Sequence, residues 1–342
     1  MIGKTASTFA HVPAGGEIAH GGRLAEARRL FPGAAEPIID LSTGINPRPY
    51  PVPDVPAEVW ARLPEPSDAA ALEAVAAATY GGDPTRVVAA PGTQVLISLL
   101  PRIVPLTSVA VVGPTYAEHA AAWAQSGAAV TEVGSHEAAA GHDGIVLCNP
   151  NNPDGRRTDP DTLAALASGL AARGGLLVVD EAFADLEDGP LSLIPDLPGA
   201  GVVVLRSFGK TYGLAGLRLG FAVAGPELAA KIRAALGPWA VSGPAIGIGR
   251  RALADTGWLA ATRARLDGDR QRLDGLLTRA GLAVVGGTRL YRLAESAQAP
   301  AVFDRLGQAG IFVRRFAYRP DWLRFGMPGD EAAWARLAAA LG

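Results

Sequence analysis

A lysine at position 210 is the residue with the most distinctive chemistry in this sequence. Lysine occurs at only three positions, Lys4, Lys210 and Lys231, among 31 lysine and arginine residues. A guanidinium stays protonated, whereas a lysine amine shielded from water can lose its proton and attack a carbonyl carbon. Lys210 follows the apolar run 201–204, which predicts a buried strand, in the segment LRSFGKTYGLAGLR. It is therefore a candidate nucleophile, with a lysine on an exposed loop as the alternative.

Three further polar residues follow predicted strands, where they could contact a ligand. Asp180, in VVDEA, ends an apolar run where an unpaired carboxylate is costly, so it needs a cationic ring nitrogen or an arginine as partner. Tyr116, in PTY, could stack on a flat ligand or simply pack in the core. Asn152, in CNPNNPDG, could hydrogen-bond a ring oxygen or only shape the turn. None of these residues is diagnostic by itself.

Several residues are suited to binding a phosphate group. Gly92 and Thr93 stand at a predicted helix start, where free backbone N–H groups can bind an anion, although Gly-Thr is also an ordinary helix cap. Ser207 and Arg218 flank the lysine and could donate hydrogen bonds to the same group. The FGKT tetrapeptide resembles the end of a P-loop, but that motif requires glycine where this chain has Val204. A nucleotide-binding P-loop is therefore not predicted.

The elements around these residues would place them at one edge of a sheet. Short apolar runs alternate with helical stretches, which is typical of a largely parallel sheet covered on both faces. In such α/β sheets, ligands bind outside the carboxyl ends of the strands. We therefore expect a doubly wound α/β core with the residues above grouped at that edge. The predicted strands are 87–90, 109–112, 145–148, 176–179 and 202–205.

The rest of the chain predicts the domain boundaries. Five prolines within 47–56 disfavour a regular helix or strand, so we place a boundary there. Beyond the core, one long helix or two helices over 245–280 lead to a region of mixed strands and helices. We predict an N-terminal arm with part of a small domain (1–46), a large domain (47–243), and a linking helix with a C-terminal small domain (244–342).

Composition limits the classes of partner. A net charge of −2 over 342 residues offers no basic excess for nucleic acid. No apolar run reaches the roughly 18 residues that would span a bilayer. The single cysteine, Cys148, excludes an internal disulfide framework, and the five histidines show no zinc or haem spacing. We therefore expect a cytoplasmic protein that binds a small molecule, with no metal, nucleic acid or membrane as partner.

In their order along the chain, these motifs resemble those of the pyridoxal 5′-phosphate (PLP) enzymes of the aspartate aminotransferase fold. The resemblance implies PLP fold type I, with a mostly parallel mixed sheet between helices, a smaller α+β domain and a homodimer. It implies that Lys210 forms the Schiff base, Asp180 pairs with the ring nitrogen and Tyr116 stacks on the ring. Asn152 would contact the ring hydroxyl, and Arg324, in WLRFG, the substrate carboxylate. The residues implied for the cofactor phosphate are Ser207, Arg218 and the amides of Gly92 and Thr93.

Four further segments narrow the resemblance within this fold. They are HGG at 20–22, STGINP at 42–47, DEAF with Phe183, and GPWAVS at 237–242. They resemble the threonine-phosphate decarboxylase family of cobalamin biosynthesis, a near relative of the histidinol-phosphate aminotransferases. Aminotransferases usually carry a tyrosine at the position of Phe183, so phenylalanine there disfavours transamination.

The resemblance also implies a reaction and a set of substrate contacts. The reaction is the decarboxylation of L-threonine O-3-phosphate to (R)-1-amino-2-propanol O-2-phosphate. Two alternatives stay open, namely transamination of histidinol phosphate or another amino acid, and an inactive binding protein of the same fold. Consecutive strand residues point to opposite faces, so only one of Arg314 and Arg315 should face the site, and the resemblance suggests Arg314 for the substrate phosphate. The other implied contacts are His20, Gly21, Ser42, Asn152 and Arg324.

Overall fold

The computed structural model of the chain describes Ile18 and residues 20–342. The predicted arm therefore lies partly outside the described residues, at 1–17 and 19. The strands are β1 (Ile39–Leu41), β2 (Val87–Ala90), β3 (Ser108–Val112), β4 (Ala129–Val133), β5 (Gly144–Cys148), β6 (Leu176–Asp180), β7 (Val202–Ser207), β8 (Gly220–Ala224), β9 (Ala283–Thr288), β10 (Tyr291–Glu295), β11 (Ile311–Phe316) and β12 (Arg319–Gly326). The helices are α1 (Leu24–Leu30), α2 (Ala57–Ala61), α3 (Pro66–Tyr80), α4 (Thr93–Ile103), α5 (Glu118–Gln125), α6 (Pro160–Ala171), α7 (Phe208–Thr211), α8 (Pro226–Leu236), α9 (Gly243–Ala254), α10 (Thr256–Arg279), α11 (Ala299–Gln308) and α12 (Glu331–Leu341).

Side-chain caps define where several helices begin. Asp159 accepts a hydrogen bond from the backbone of the third residue of α6, and Ser242 does the same for α9. Asp255 ends α9 and caps the first turn of α10, so the stretch predicted as one helix or two forms two helices. Among the described residues, no helix combines the length and apolar character needed to cross a membrane.

The larger sheet has seven strands in the order β2-β8-β7-β6-β5-β3-β4. The pairs from β4 through β3, β5 and β6 to β7 are parallel, whereas β8 is antiparallel to both β2 and β7. The expected mostly parallel mixed sheet is therefore confirmed. The sequence prediction omitted β4 and β8. β4 is a partly exposed edge strand without an apolar run, and β8 is rich in alanine and glycine, which have weak strand propensity.

The central strands of this sheet are buried on both faces, which explains their continuous apolar sequences. Val202 and Val204 pack on one face in a cluster that includes Phe208 and residues of α3, α6 and α9. Val203 and Leu205 pack on the opposite face against α4 and α8. This alternation follows from the pleat of β7. The strand ends at Ser207, directly before the short helix α7.

The smaller sheet has five strands in the order β1-β11-β12-β10-β9. β1 pairs in parallel with β11, so the N-terminal segment joins a sheet formed by the C-terminal part of the chain. Leu266, Leu273 and Leu277 lie on one face of α10 and pack in the core beneath this sheet. The division into domains at residues 46 and 243 remains a prediction.

A cavity of about 340 Å³ lies where the two sheets meet. Its walls include Asp180 and Ser207 from the carboxyl ends of β6 and β7, and Arg314 and Arg324 from β11 and β12. The fold therefore brings the ends of the central strands against charged residues of the smaller sheet.

Candidate active site

Every residue that the sequence singled out for a site lines this cavity. The grouping is a fact of the structure, whereas the role of each residue remains a prediction. The residues are His20, Gly21, Ser42, Gly92, Thr93, Tyr116, Asn152, Asp180, Ser207, Lys210, Arg218, Arg314 and Arg324.

Lys210 lies in the single turn of α7, directly after β7. Burial, followed by the proximity of Arg324, lowers the pKa of its amine from 10.5 to about 8, and nearby Asp180 opposes part of this effect. The Nζ atom lies 5.9 Å from the centre of the Phe183 ring, so one side of the amine faces an apolar wall. A lysine in this setting can exchange a proton near neutral pH.

Asp180 ends β6 and is only 5% exposed. Its Oδ2 atom lies 2.9 Å from Nε2 of His119, and its Oδ1 atom accepts a hydrogen bond from the backbone N–H of Ala182 at 3.0 Å. Burial opposes a charge on His119, but the hydrogen bond to Asp180 and the proximity of Cys148 raise its pKa to about 10. The cationic side-chain partner of Asp180 is therefore a histidine of α5, where the sequence suggested an arginine or a ring nitrogen.

Cys148 lies opposite Asp180 in the register of the parallel strands β5 and β6. The donor atoms of His119, Cys148 and Asp180 lie within 4.8 Å of one another, a combination that could hold a metal ion. The three groups already make polar contacts, because His119 contacts Asp180 and the hydroxyl of Thr115 lies 3.1 Å from Sγ of Cys148. Their position beneath the cavity also allows Asp180 to meet a cationic ring nitrogen.

Tyr116 is oriented by a neighbour that the sequence analysis did not identify. Its hydroxyl donates a hydrogen bond to Oε1 of Gln94 at 3.0 Å. Burial and the nearby carboxylate of Glu118 raise the pKa of the phenol, so it remains a hydrogen-bond donor. The ring is therefore held as a fixed wall of the cavity, as stacking on a planar ligand requires.

Gly92 and Arg218 approach each other closely at the start of α4. Gly92 has φ of 87°, and a Cβ atom at this position would collide with the Arg218 guanidinium. Glycine suits this position because residues with a side chain rarely adopt its positive φ, and because a Cβ atom would displace the guanidinium. The free N–H groups of the first turn, the guanidinium and the nearby Ser207 and Thr93 together form a cradle suited to a phosphate.

Arg324 is 6% exposed and is fixed by residues from two other segments. It donates hydrogen bonds to the backbone oxygen of Ser42 at 2.8 Å and to the side-chain oxygen of Asn152. Its guanidinium lies 5.0 Å from the ring centre of Tyr291. Burial lowers its pKa to about 10, and its Nε atom has no hydrogen-bond partner among the described residues. Such a cation is suited to binding a carboxylate.

Arg314 pairs with Arg324 across β11 and β12 and lines the same cavity. Arg315 is exposed and lies with its guanidinium 4.7 Å from the ring centre of Phe303. The pleat of β11 therefore directs Arg314, and not its neighbour, toward the cavity.

The N-terminal segment closes one side of the cavity around Ser42. The backbone N–H of Gly22 donates to Oγ of Ser42 at 2.9 Å, and a Cβ atom at Gly21 would collide with the Ser42 carbonyl. His20 contacts Glu118 at 2.8 Å, which attaches the segment to α5.

The residues present fit PLP, which carries an aldehyde, a pyridine nitrogen, a ring hydroxyl and a phosphate. Lys210 supplies an amine of lowered pKa for the aldehyde, and Asp180 a buried carboxylate for the ring nitrogen. The cradle between Gly92 and Arg218 is one that a Cβ atom would fill, so it is shaped for a group that approaches the backbone closely.

Four residues near the site were missed by sequence reasoning: Gln94, Glu118, His119 and Tyr318. The sequence offered a signal for two of them, because they stand close to residues already singled out. Gln94 directly follows Thr93, and His119 lies three positions after Tyr116. Tyr318 lies in the turn between β11 and β12, and the register shift at Phe316 could not be deduced from the sequence. Burial raises the pKa of Tyr318 to about 12, which keeps it a donor at the cavity.

Comparison with known proteins places these features in a family. The model of the aminotransferase class I and II family matches residues 57–341. A threonine-phosphate decarboxylase from Sinorhizobium sp. is 44% identical over 327 residues, covering 95% of this chain and 97% of the relative. A threonine-phosphate decarboxylase from Pseudomonas aeruginosa is 43% identical over 328 residues, with the same two coverages.

Two solved structures agree on the fold. Histidinol-phosphate aminotransferase from Sinorhizobium meliloti, in complex with pyridoxal-5′-phosphate, matches with a TM-score of 0.81 at 22% identity, covering 93% of each chain. L-threonine-O-3-phosphate decarboxylase from Porphyromonas gingivalis matches with a TM-score of 0.74 at 20% identity, covering 89% of this chain and 98% of that chain. The expected aminotransferase-like α/β fold is therefore confirmed. The chain belongs to the class I and II aminotransferase family.

Proposed function

We propose that the protein is a PLP-dependent carboxy-lyase that decarboxylates L-threonine O-3-phosphate to (R)-1-amino-2-propanol O-2-phosphate for cobalamin biosynthesis. The observation that carries the proposal is the presence of Arg314 and Arg324 in the cavity that also holds Lys210. Two arginines match a small amino acid that bears both a carboxylate and a phosphate. Similarity along nearly the whole chain to relatives named threonine-phosphate decarboxylase supports the same substrate.

Cofactor binding would use the groups at the ends of β6 and β7. When bound, PLP supplies an electron sink for the bond that breaks at the substrate Cα. Asp180, held by His119, would stabilise a proton on the ring nitrogen, and Tyr116 would cover one face of the ring. The backbone at Gly92 and the guanidinium of Arg218 would bind the phosphate.

The choice of bond would depend on how the substrate carboxylate is held. The bond at Cα that is held perpendicular to a bound PLP ring would be the one that breaks. Arg324 is fixed by Ser42 and Asn152, so it would hold the carboxylate in one orientation. With the carboxylate perpendicular, its bond to Cα would break, carbon dioxide would leave, and the electron pair of that bond would stay with the substrate. With the Cα hydrogen perpendicular, the same site would instead favour transamination.

Lys210 would complete the reaction by returning a proton. Loss of carbon dioxide leaves an electron pair at Cα, and protonation of that carbon gives the product amine. A pKa of about 8 leaves Nζ protonated near neutral pH and still able to release the proton. Phe183 lies at the cavity wall 5.9 Å from Nζ and presents no hydroxyl that would compete for this proton.

The decisive experiment is an assay of carbon dioxide release by the PLP-loaded protein with L-threonine O-3-phosphate. We expect release with wild type and with Lys231→Ala, which changes a surface lysine of α8 paired with Glu227. Lys210→Ala should abolish release and the visible absorption of the lysine-bound cofactor. Turnover of histidinol phosphate that depends on 2-oxoglutarate, without carbon dioxide release, would overturn the decarboxylase proposal. Binding without turnover of either substrate would favour an inactive protein.

A homodimer is part of the proposal. The five-residue helix α2 buries no side chain in the described structure, and Trp60 within it is 69% exposed. Val52 and Leu63, which flank α2 in the chain, are also exposed, and so is Trp239. Trp239 lies four residues before Gly243, which packs closely against Val59 of α2, and with Trp60 we call these exposed residues the α2 patch. Apolar side chains exposed together usually mark an interface. We further propose a cytoplasmic location, where the one cysteine, Cys148, would stay reduced.

A further inference from the structure

A chain of hydrogen bonds connects the N-terminal segment to Tyr116. The hydroxyl of Tyr116 donates to Gln94 at 3.0 Å, and Nε2 of Gln94 donates to Oε2 of Glu118 at 3.2 Å. The second carboxylate oxygen, Oε1, lies 2.8 Å from Nε2 of His20. His20, Gln94 and Tyr116 line the cavity, whereas Glu118 stands behind them. Glu118 therefore reaches the cavity only through its neighbours.

The chemistry of the carboxylate fixes the direction of each hydrogen bond. A carboxylate only accepts, so Gln94 must turn its NH₂ group toward Glu118 and its carbonyl toward Tyr116. For the same reason, Nε2 of His20 carries a hydrogen that points at Glu118. The other ring nitrogen, Nδ1, is then the one that can serve a ligand. With hydrogens on both ring nitrogens, the ring donates one hydrogen bond to Glu118 and offers the Nδ1 hydrogen to a ligand.

We propose that Glu118 is a positioning residue that orients the His20 imidazole to donate a hydrogen bond from Nδ1 to the substrate phosphate. The inference rests on the proposed function, because it assumes a phosphate-bearing substrate near His20. It adds a residue that makes no contact with the substrate. That residue affects the substrate's affinity through the orientation of the imidazole and through its own charge. The ring centre of Tyr116 lies 6.1 Å from that of His20, so the imidazole neighbours the ring that ends this chain of hydrogen bonds.

The same arrangement predicts a penalty when His20 is absent. The Glu118 side chain is 22% exposed, so without the imidazole its negative charge would face the cavity across open space. A carboxylate in that position repels a phosphate dianion. The effect of Glu118 on substrate affinity should therefore disappear or change sign when His20 is removed, which a purely structural role for Glu118 would not produce.

The first test compares Glu118→Gln with Glu137→Gln in the PLP-loaded enzyme. Glutamine keeps the size of the side chain and removes the charge. Because a hydrogen bond to a charged group is stronger than a neutral one, KM for L-threonine O-3-phosphate should rise about tenfold, with kcat within about twofold. Glu137 forms a matched pair with His136 at 3.1 Å outside the cavity, so Glu137→Gln should leave both constants unchanged.

The second test places the same change in a His20→Ala background. There, Glu118→Gln should lower KM or leave it unchanged. An equal increase in KM in both backgrounds would overturn the inference, as would an unchanged KM for Glu118→Gln in the wild type. Calorimetric titration of the PLP-loaded proteins with inorganic phosphate gives the same comparison without turnover. Absence of carbon dioxide release by wild type would thus overturn the proposed function, while the phosphate titration would still decide the role of Glu118.

Discussion

Lys210 is buried among other charged groups, and this sets the pH range in which its amine reacts. Burial and Arg324 lower its pKa from 10.5 to about 8. Only the neutral amine is nucleophilic, and its fraction rises as the pH passes the pKa. In protein freed of cofactor, we expect acetylation of Lys210 to rise with a midpoint near pH 8. Brief labelling at a series of pH values, followed by peptide mass spectrometry, measures the midpoint.

Unfolded protein provides the control for this titration. In denaturant the amine is in water, so the midpoint should return to the ordinary lysine value near 10.4. A midpoint above pH 10 in the folded protein would contradict the effect of burial on Lys210.

The sequence predicts that Asp180 needs a cationic partner, but it does not identify the residue that supplies it. Its position at the end of an apolar run indicated that it needs a cationic partner, but His119 lies 61 positions away, on α5. We expect His119→Leu to lower the free energy of unfolding by about 3–5 kcal/mol, because it leaves a buried carboxylate without its cation. Urea denaturation measures this change. His136→Leu removes one member of a partly exposed pair and should cost far less. Equal losses of stability in the two variants would show that burial does not increase the contribution of the His119–Asp180 pair.

The short helix α7 depends on its surroundings for its position. Four residues are too few to form a stable helix alone. Thr211 anchors this turn, because its hydroxyl donates to Oδ2 of Asp185 at 2.9 Å, and Asp185 is in turn bound by Arg206. We expect Thr211→Val to destabilise the protein by about 1–3 kcal/mol, since one buried acceptor loses its donor, and to lower kcat by displacing Lys210.

Thr162 supplies the comparison for this prediction. Its hydroxyl donates to Asp159 at 2.7 Å in an exposed cap of α6. Thr162→Val should change stability by less than Thr211→Val and should leave kcat unaltered. If Thr211→Val loses stability but keeps its kcat, the hydrogen bond of Thr211 stabilises the protein without positioning Lys210.

Elements with a strong local signal were predicted well, and those that depend on distant contacts were not. β7 was predicted because its residues are apolar on both faces. The stretch 243–279 forms two helices, α9 and α10, because Asp255 caps the second. β4 escaped prediction because it lies at the sheet edge, where one face is solvated and no apolar run forms. The FGKT tetrapeptide resembles the end of a P-loop, but its threonine, Thr211, donates its hydroxyl hydrogen to Asp185 within the protein.

At the scale of the molecule, the cavity is assembled from segments that are far apart in the chain. Family resemblance located the candidate residues between His20 and Arg324, and the structure places them all at one cavity. The contacts among them could not be deduced from the sequence. The hydrogen bond from Arg324 to Asn152 and the pair of His20 with Glu118 depend on how the two sheets approach each other.

The α2 patch leads to a prediction about assembly. We expect the 35.1 kDa chain to sediment as a dimer and Trp60→Glu to shift it toward the monomer, because the substitution would bury an unpaired charge in an apolar interface. Sedimentation velocity over a range of concentrations measures the change. Val285→Glu introduces the same charge at an exposed valine of β9, outside the patch, and should leave the dimer intact. If Trp60→Glu sediments as wild type does, another surface forms the dimer, since a buried glutamate at the interface would cost more than most dimers can tolerate.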